Sequence, residues 1–182
     1  SLFNHSKLTI DVSDFKKDIQ AAIPEASEVT VSIPLVGRKP VVGLTLVAPK
    51  YLLTLPGNKT FIVGTNGIAL AEGKDIDETT RRSLRVLQED VPLNVKVGHT
   101  VLSTADLAFI DIVTSELTRA NMTIDLLQLP VGAGELHVHL AGEGYIIKFA
   151  LMGDARQQVG AFLAVRNQTN VERPTSYIDV RI

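Results

Sequence analysis

Two histidines and a glutamate on one face of a predicted strand are the nearest approach to catalytic chemistry in this sequence. Glu135, His137 and His139 alternate with Leu136, Val138 and Leu140, and a period of two puts the three polar side chains on the same side. Imidazoles at i and i+2 could give two ligands of a catalytic zinc site, and the carboxylate beside them a third. No separate cluster of ligand types accompanies them, and a wet strand face explains the same pattern. Other chemistries lack their parts. The chain has no cysteine, so thiol nucleophiles and disulfides are excluded. No serine stands in a Gly-x-Ser-x-Gly elbow. Gly132-Ala133-Gly134 precedes a strand instead of opening a helix, which is where a phosphate cradle must lie. Asp75 with Asp77, and Glu89 with Asp90, read as solvated loop carboxylates. Asn-x-Ser/Thr triplets begin at Asn4, Asn58, Asn121 and Asn167. So short a pattern arises by chance, and Asn121 and Asn167 stand at helix ends that favour asparagine for its backbone geometry. The candidates for catalysis are thin, and the residues predict no metal or cofactor. A metal-dependent enzyme using His137, His139 and Glu135 is the rival reading.

Composition narrows the partners. The 182 residues are 45% hydrophobic, enough for one large domain or two small ones, and the net charge of -2 supplies no clustered positive field for nucleic acid or an anionic membrane. Arg81, Arg82 and Arg85 form the tightest basic group, among Glu78, Glu89 and Asp90, and read as a solvated face. The most apolar region, Val41 to Leu55, is interrupted by Gly43, Pro49 and Lys50 and falls short of a spanning helix of about 20 residues. The chain therefore reads as a soluble piece, and its first residues do not have the pattern of a signal peptide.

The elements that would position these residues follow from periodicity and caps. Ser13 can cap a helix with Phe15, Ile19, Ala22 and Ile23 on one face, ended by Pro24. Val29 to Ile33 and Val42 to Val47 alternate as strands around a turn from Pro34 to Pro40. Pro49 and then Pro56-Gly57-Asn58 mark a change of direction and a candidate boundary. Phe61-Ile62-Val63 and Ile68-Ala69-Leu70 flank Asn66-Gly67, which predicts a hairpin with a type I′ turn. Glu72 to Asp90 reads as polar and irregular, and Leu93 to Val97 as a strand leaving through Gly98-His99. Ser103 with Asp106 caps a helix carrying Leu107, Ile110, Val113 and Leu117 to about Thr118. Met122 to Leu127 is the next strand. Glu135–Leu140 and Tyr145–Leu151 form a hairpin around two glycines, Gly142 and Gly144. Asp154, with Gln157 three residues on, then caps a helix with Ala155, Val159, Phe162 and Leu163 on one face. Strands outnumber helices and are joined mostly by short turns, which predicts an α+β fold with mainly antiparallel sheet.

The chain ends on Tyr177-Ile178-Asp179-Val180-Arg181-Ile182, a strand with Tyr177, Asp179 and Arg181 on one face and Ile178, Val180 and Ile182 on the other. It is either an edge that accepts another strand by main-chain hydrogen bonding or an interior strand that completes the sheet. If it is an edge whose Val180 donor faces the partner, Val180→Pro abolishes binding.

Pro174-Thr175-Ser176-Tyr177-Ile178-Asp179-Val180-Arg181 resembles the strand near the end of the bacterial cell-division proteins FtsQ and DivIB. Arg38-Lys39-Pro40-Val41-Val42 is similar to that family's basic-Pro-Val-Ala element. Phe61-Ile62-Val63 with Asn66-Gly67-Ile68 resembles its following hairpin, and Tyr145 to Gly153 its strand closing on Leu-Gly before a helix. Order and spacing agree over most of the chain. The resemblance implies a partial POTRA-like subdomain at residues 1–50, lacking its first strand and helix, followed by an FtsQ/DivIB-type β domain at 51–182. It implies a non-catalytic divisome scaffold on the extracytoplasmic side of the cell membrane, its parent protein anchored by one N-terminal helix. The implied partners are FtsB/DivIC-type and FtsL-type proteins, received at Tyr177, Ile178, Asp179, Val180, Arg181 and Ile182, with Arg181 and Ile182 foremost. Ile182 departs from the family's usual aromatic. Neither nucleic acid nor a small-molecule substrate is implied. A secreted or surface binding module unrelated to division is the alternative.

Overall fold

The computed structural model describes residues 12–23, 26–32, 41–168 and 174–181. The expectations for Pro24, Ile33, the turn from Pro34 to Pro40 and Ile182 fall outside them. Helix α1 (Val12–Ala22) precedes strands β1 (Ala26–Ser32) and β2 (Val41–Leu46), which pair antiparallel from Ala26↔Leu46 to Ser32↔Val41. Ala26 and Val29 of β1 are buried, whereas Val41, Val42, Leu44 and Leu46 of β2 are exposed. The predicted apolar face of α1 is half covered, with Ile19 and Ile23 partly buried and Phe15 exposed.

The remaining strands make one sheet. They are β3 (Pro49–Leu55), β4 (Lys59–Gly64), β5 (Ala69–Glu72), β6 (Arg85–Glu89), β7 (Ile124–Leu129), β8 (Glu135–Leu140), β9 (Ile146–Ala150) and β10 (Tyr177–Asp179). Their order is β10-β9-β8-β7-β6-β3-β4-β5. Helices α2 (Glu78–Ser83), α3 (Thr104–Arg119) and α4 (Ala155–Arg166) complete the α+β fold. Four of the seven junctions are antiparallel. The parallel three are β3–β6, β6–β7 and β9–β10. Two of these arise because α3 carries the chain from β6 to β7 and α4 carries it from β9 to β10. Crossovers of one hand that step the same way along a sheet lie on the same face. Both helices accordingly pack on one side, contact each other and share the main core with Tyr51, Leu53, Leu87, Leu127, Leu136, Val138, Ile147 and Phe149.

Strands β3 and β4 are buried on both faces. Tyr51, Leu53 and Leu55 point to the helices, while Leu52 joins Ile62, Leu70, Leu84 and Val47 in a second cluster on the far side. This explains the unbroken apolar run from Tyr51 to Leu55. Strands β8 and β9 are buried on one face only, and they alternate cleanly.

Four local expectations give way. Glu72 to Asp90 is ordered: a 3-10 turn at Gly73–Asp75 leads into α2, capped by the Asp77 carboxylate on Thr80 N–H, and then into β6 near the middle of the sheet. Val86 and Leu87 are its only apolar residues, so parallel neighbours on both sides, not composition, make it a strand. Leu93 to Val97 is not a strand. The chain just after it runs along β5, with Gly98 N–H donating to the Ala69 carbonyl and Ala69 N–H to that of His99. Pro56-Gly57-Asn58 is the turn between β3 and β4, with Gly57 and Asn58 at positive φ, and not a boundary. The β4–β5 hairpin exists, but only Gly67 of the Asn66-Gly67 pair has positive φ. Gly67 N–H closes on the Gly64 carbonyl and Asn66 Oδ1 accepts from Ile68 N–H, an Asx-stabilised turn with Gly67 after it. Among the described residues no helix is long and apolar enough to cross a membrane.

Candidate functional site

The two ends of the large sheet are treated differently. At the β5 end, residues 98–102 hydrogen-bond the outer edge through Ala69 and Gly67, which is how proteins blunt an open strand. At the other end β10 is last in the order, and among the described residues no chain pairs with its outer side. The orientation of its backbone follows from two bonds. Ile146 N–H donates to the Ser176 carbonyl, and Val180 N–H donates to the Lys148 carbonyl. Ser176, Ile178 and Val180 thus direct their peptide groups inward to β9, and Tyr177 and Asp179 direct theirs outward. Arg181 N–H is taken by Asp179 Oδ1 at 3.1 Å. The open edge is therefore two residues long. The condition attached to Val180→Pro, a donor facing the partner, is not met, because that donor faces Lys148.

Side chains of β10 sort as the alternation predicts. Ile178 and Val180 are buried in the main core, and Tyr177, Asp179 and Arg181 are exposed. The polar side continues inward as a network. Lys148 Nζ lies 4.1 Å from the centre of the Tyr177 ring. Arg181 grips Asp179, with Nε donating to Oδ1 at 2.8 Å, and also Glu135 on β8. Glu135 Oε2 meets His137 Nε2 at 2.7 Å, His139 Nε2 meets Gln128 Oε1 at 3.3 Å, and Gln128 Nε2 donates to Asp90 at 2.8 Å. The Arg181 hydrogen bonds hold the Asp179 carboxyl down to about 2. Burial pushes Glu135 up, but the His137 hydrogen bond and the Arg181 charge outweigh it and leave Glu135 below its ordinary value. Burial, followed by the His137 charge, lowers His139.

This geometry bears on the zinc alternative. Glu135 and His137 do touch, but His139 turns to Gln128 and the second Glu135 oxygen holds a guanidinium, which a cation would have to displace. Among the described residues no three His, Asp or Glu side chains converge. Of the carboxylates read as solvated, Asp77 caps α2, and Asp90 ties the Gln88 and Gln128 amides together. Asn121 has the left-handed backbone expected of it, with φ 58, while Asn167 is right-handed.

Periodicity passed over Gln158. It lies between Ala155, Val159 and Phe162 on the α4 stripe and is fully buried. Its Oε1 accepts from Ala150 N–H at 2.7 Å and its Nε2 donates to the Ala150 carbonyl at 3.0 Å. A glutamine three residues after Ala155 on the apolar face was the available signal, and its partner was not readable from the sequence. Neither any protein-family model nor any curated protein matches this chain.

Proposed function

We propose that this chain is an extracytoplasmic part of a non-catalytic division scaffold of the FtsQ/DivIB kind, which binds FtsB/DivIC-type and FtsL-type proteins by strand addition at β10. Through that contact it supports septal wall synthesis at the cell membrane. The observation that carries the reading is the edge of β10, with whose outer side no described strand pairs, anchored in the core by Ile178 and Val180 and turning the Tyr177 and Asp179 peptide groups outward. Main-chain bonding at those two residues supplies affinity, while Tyr177, Asp179 and Arg181 supply side-chain specificity. The experiment is a titration with the extracytoplasmic segment of an FtsB-type protein, followed by amide exchange on the complex. New protection at Tyr177 and Asp179 is expected. Protection elsewhere moves the site, and absence of binding at high micromolar concentration removes the partner assignment and favours a module unrelated to division.

A further inference from the structure

The alternation that seats β10 leaves its register open. Tyr177 to Arg181 repeats with period two, so a slide by two residues along β9 returns Ile178 and Val180 to the core face and keeps Tyr177 and Asp179 outside. Hydrophobic pattern alone permits all such registers. The observed one pairs Tyr177 with Ile146, Ile178 with Ile147 and Asp179 with Lys148. Something other than burial selects it.

We infer that Gln158 is the positioning residue that sets the register of β10, and that it thereby decides where along the sheet edge the outward-facing Tyr177 and Asp179 backbone groups stand for a partner. The inference rests on β10 being the working edge. Ile146, Lys148 and Ala150 share one orientation along β9, and the first two bond to β10, so the Ala150 N–H and carbonyl also point to the β10 side. A ladder that continued would take Ala150 N–H to the Val180 carbonyl. Gln158 occupies that place with both halves of its carboxamide. It imitates the next strand residue, and the ladder stops at the Val180 N–H bond.

A slide of β10 toward the end of β9 would need the Ala150 groups and meets Gln158. A slide the other way carries Arg181 from the level of Ala150 and Glu135 to that of Lys148, giving up the Glu135 carboxylate for a like charge. The two devices bracket one register. Gln158 acts from α4, through Ala150, without touching β10 itself.

The test uses the absence of native cysteine, so that an introduced pair is the only pair. Lys148→Cys with Asp179→Cys reports the observed register, and Lys148→Cys with Tyr177→Cys reports the slid one. Each pair is oxidised mildly in the full chain with Gln158 present and with Gln158→Met, which keeps length, apolar packing and helix preference. With Gln158 the first pair forms and the second stays minor. With Gln158→Met the slid pair's cross-linked fraction rises about tenfold, as expected when a competitor for about two backbone hydrogen bonds is removed. Gln158→Leu, which has neither donor nor acceptor for Ala150, gives the same direction and serves if the methionine variant does not fold. Folded variants of either kind in which the slid pair stays as rare as with Gln158 overturn the inference. No partner enters this readout, so its failure leaves the partner assignment standing, and failure of partner binding leaves the register assignment standing.

Discussion

His139 and Asp179 titrate away from their ordinary values for opposite reasons, and each makes stability depend on pH in its own window. Burial, with the nearby His137 charge, lowers His139 against a smaller opposing pull from Asp125. The unfolded histidine therefore takes its proton first, near pH 6.5, and the contribution of neutral His139 is present above that pH and is lost as pH falls below it. Urea unfolding at pH 7.5 and 5.5 checks this, and His139→Gln, which keeps a partner for Gln128, flattens the difference. Asp179, held at about 2 by Arg181, contributes above the ordinary carboxyl range, and its contribution is lost as pH falls from about 4 toward the folded value. Arg181→Ala returns its carboxyl titration toward about 4, read by NMR. Both groups lie on the wet face of the sheet, where alternation placed them. The partner of His139, Gln128, came from another strand and was not readable from local spacing, whereas Asp179 found Arg181 two residues on along the face they share.

The elements that were readable are those whose signals lie within a few residues. Ser103 Oγ accepts from Asp106 N–H at 3.0 Å and Asp154 Oδ1 from Gln157 N–H at 2.9 Å, as the cap spacings predict. Asp154→Ala is expected to cost about 1 kcal/mol in thermal or urea unfolding. The β4–β5 turn has a stricter demand. Gly67 has φ +79 and a Cβ there would sit 2.3 Å from the Leu102 carbonyl oxygen. Gly67→Ala therefore costs at least about 1–2 kcal/mol from backbone strain alone, with the clash added, whereas at Gly142, where nothing lies within 4 Å, only the strain remains. Strand β6 was missed because its evidence is remote. Leu87 is fully buried between β3 and β7, and Leu87→Ala is expected to cost about 2–5 kcal/mol, a central-strand penalty that an irregular loop would not show.

Among the described residues, both apolar clusters of the large sheet draw only on residues from Val47 onward. A chain shortened to 47–182 is therefore expected to keep a cooperative thermal transition, and its loss would mean that α1, β1 and β2 support the sheet. At the opposite end, Asp179→Pro removes an outward donor and is expected to abolish strand addition while circular dichroism and melting stay near those of an Asp179→Ala control. Val180→Pro breaks the bond to Lys148 and is expected to lower stability itself. The α+β class, the helices α3 and α4, the β8–β9 hairpin and the two faces of the last strand were determined by the sequence itself, because caps, turns and period-two burial act between near neighbours. Tertiary structure alone decided that β6 is central, that β10 lies parallel to β9 at the sheet's open edge, and that Gln158 closes Ala150. Those facts depend on pairings between residues far apart in the chain, and a pattern that repeats every two residues carries the face of a strand but neither its neighbour nor its register.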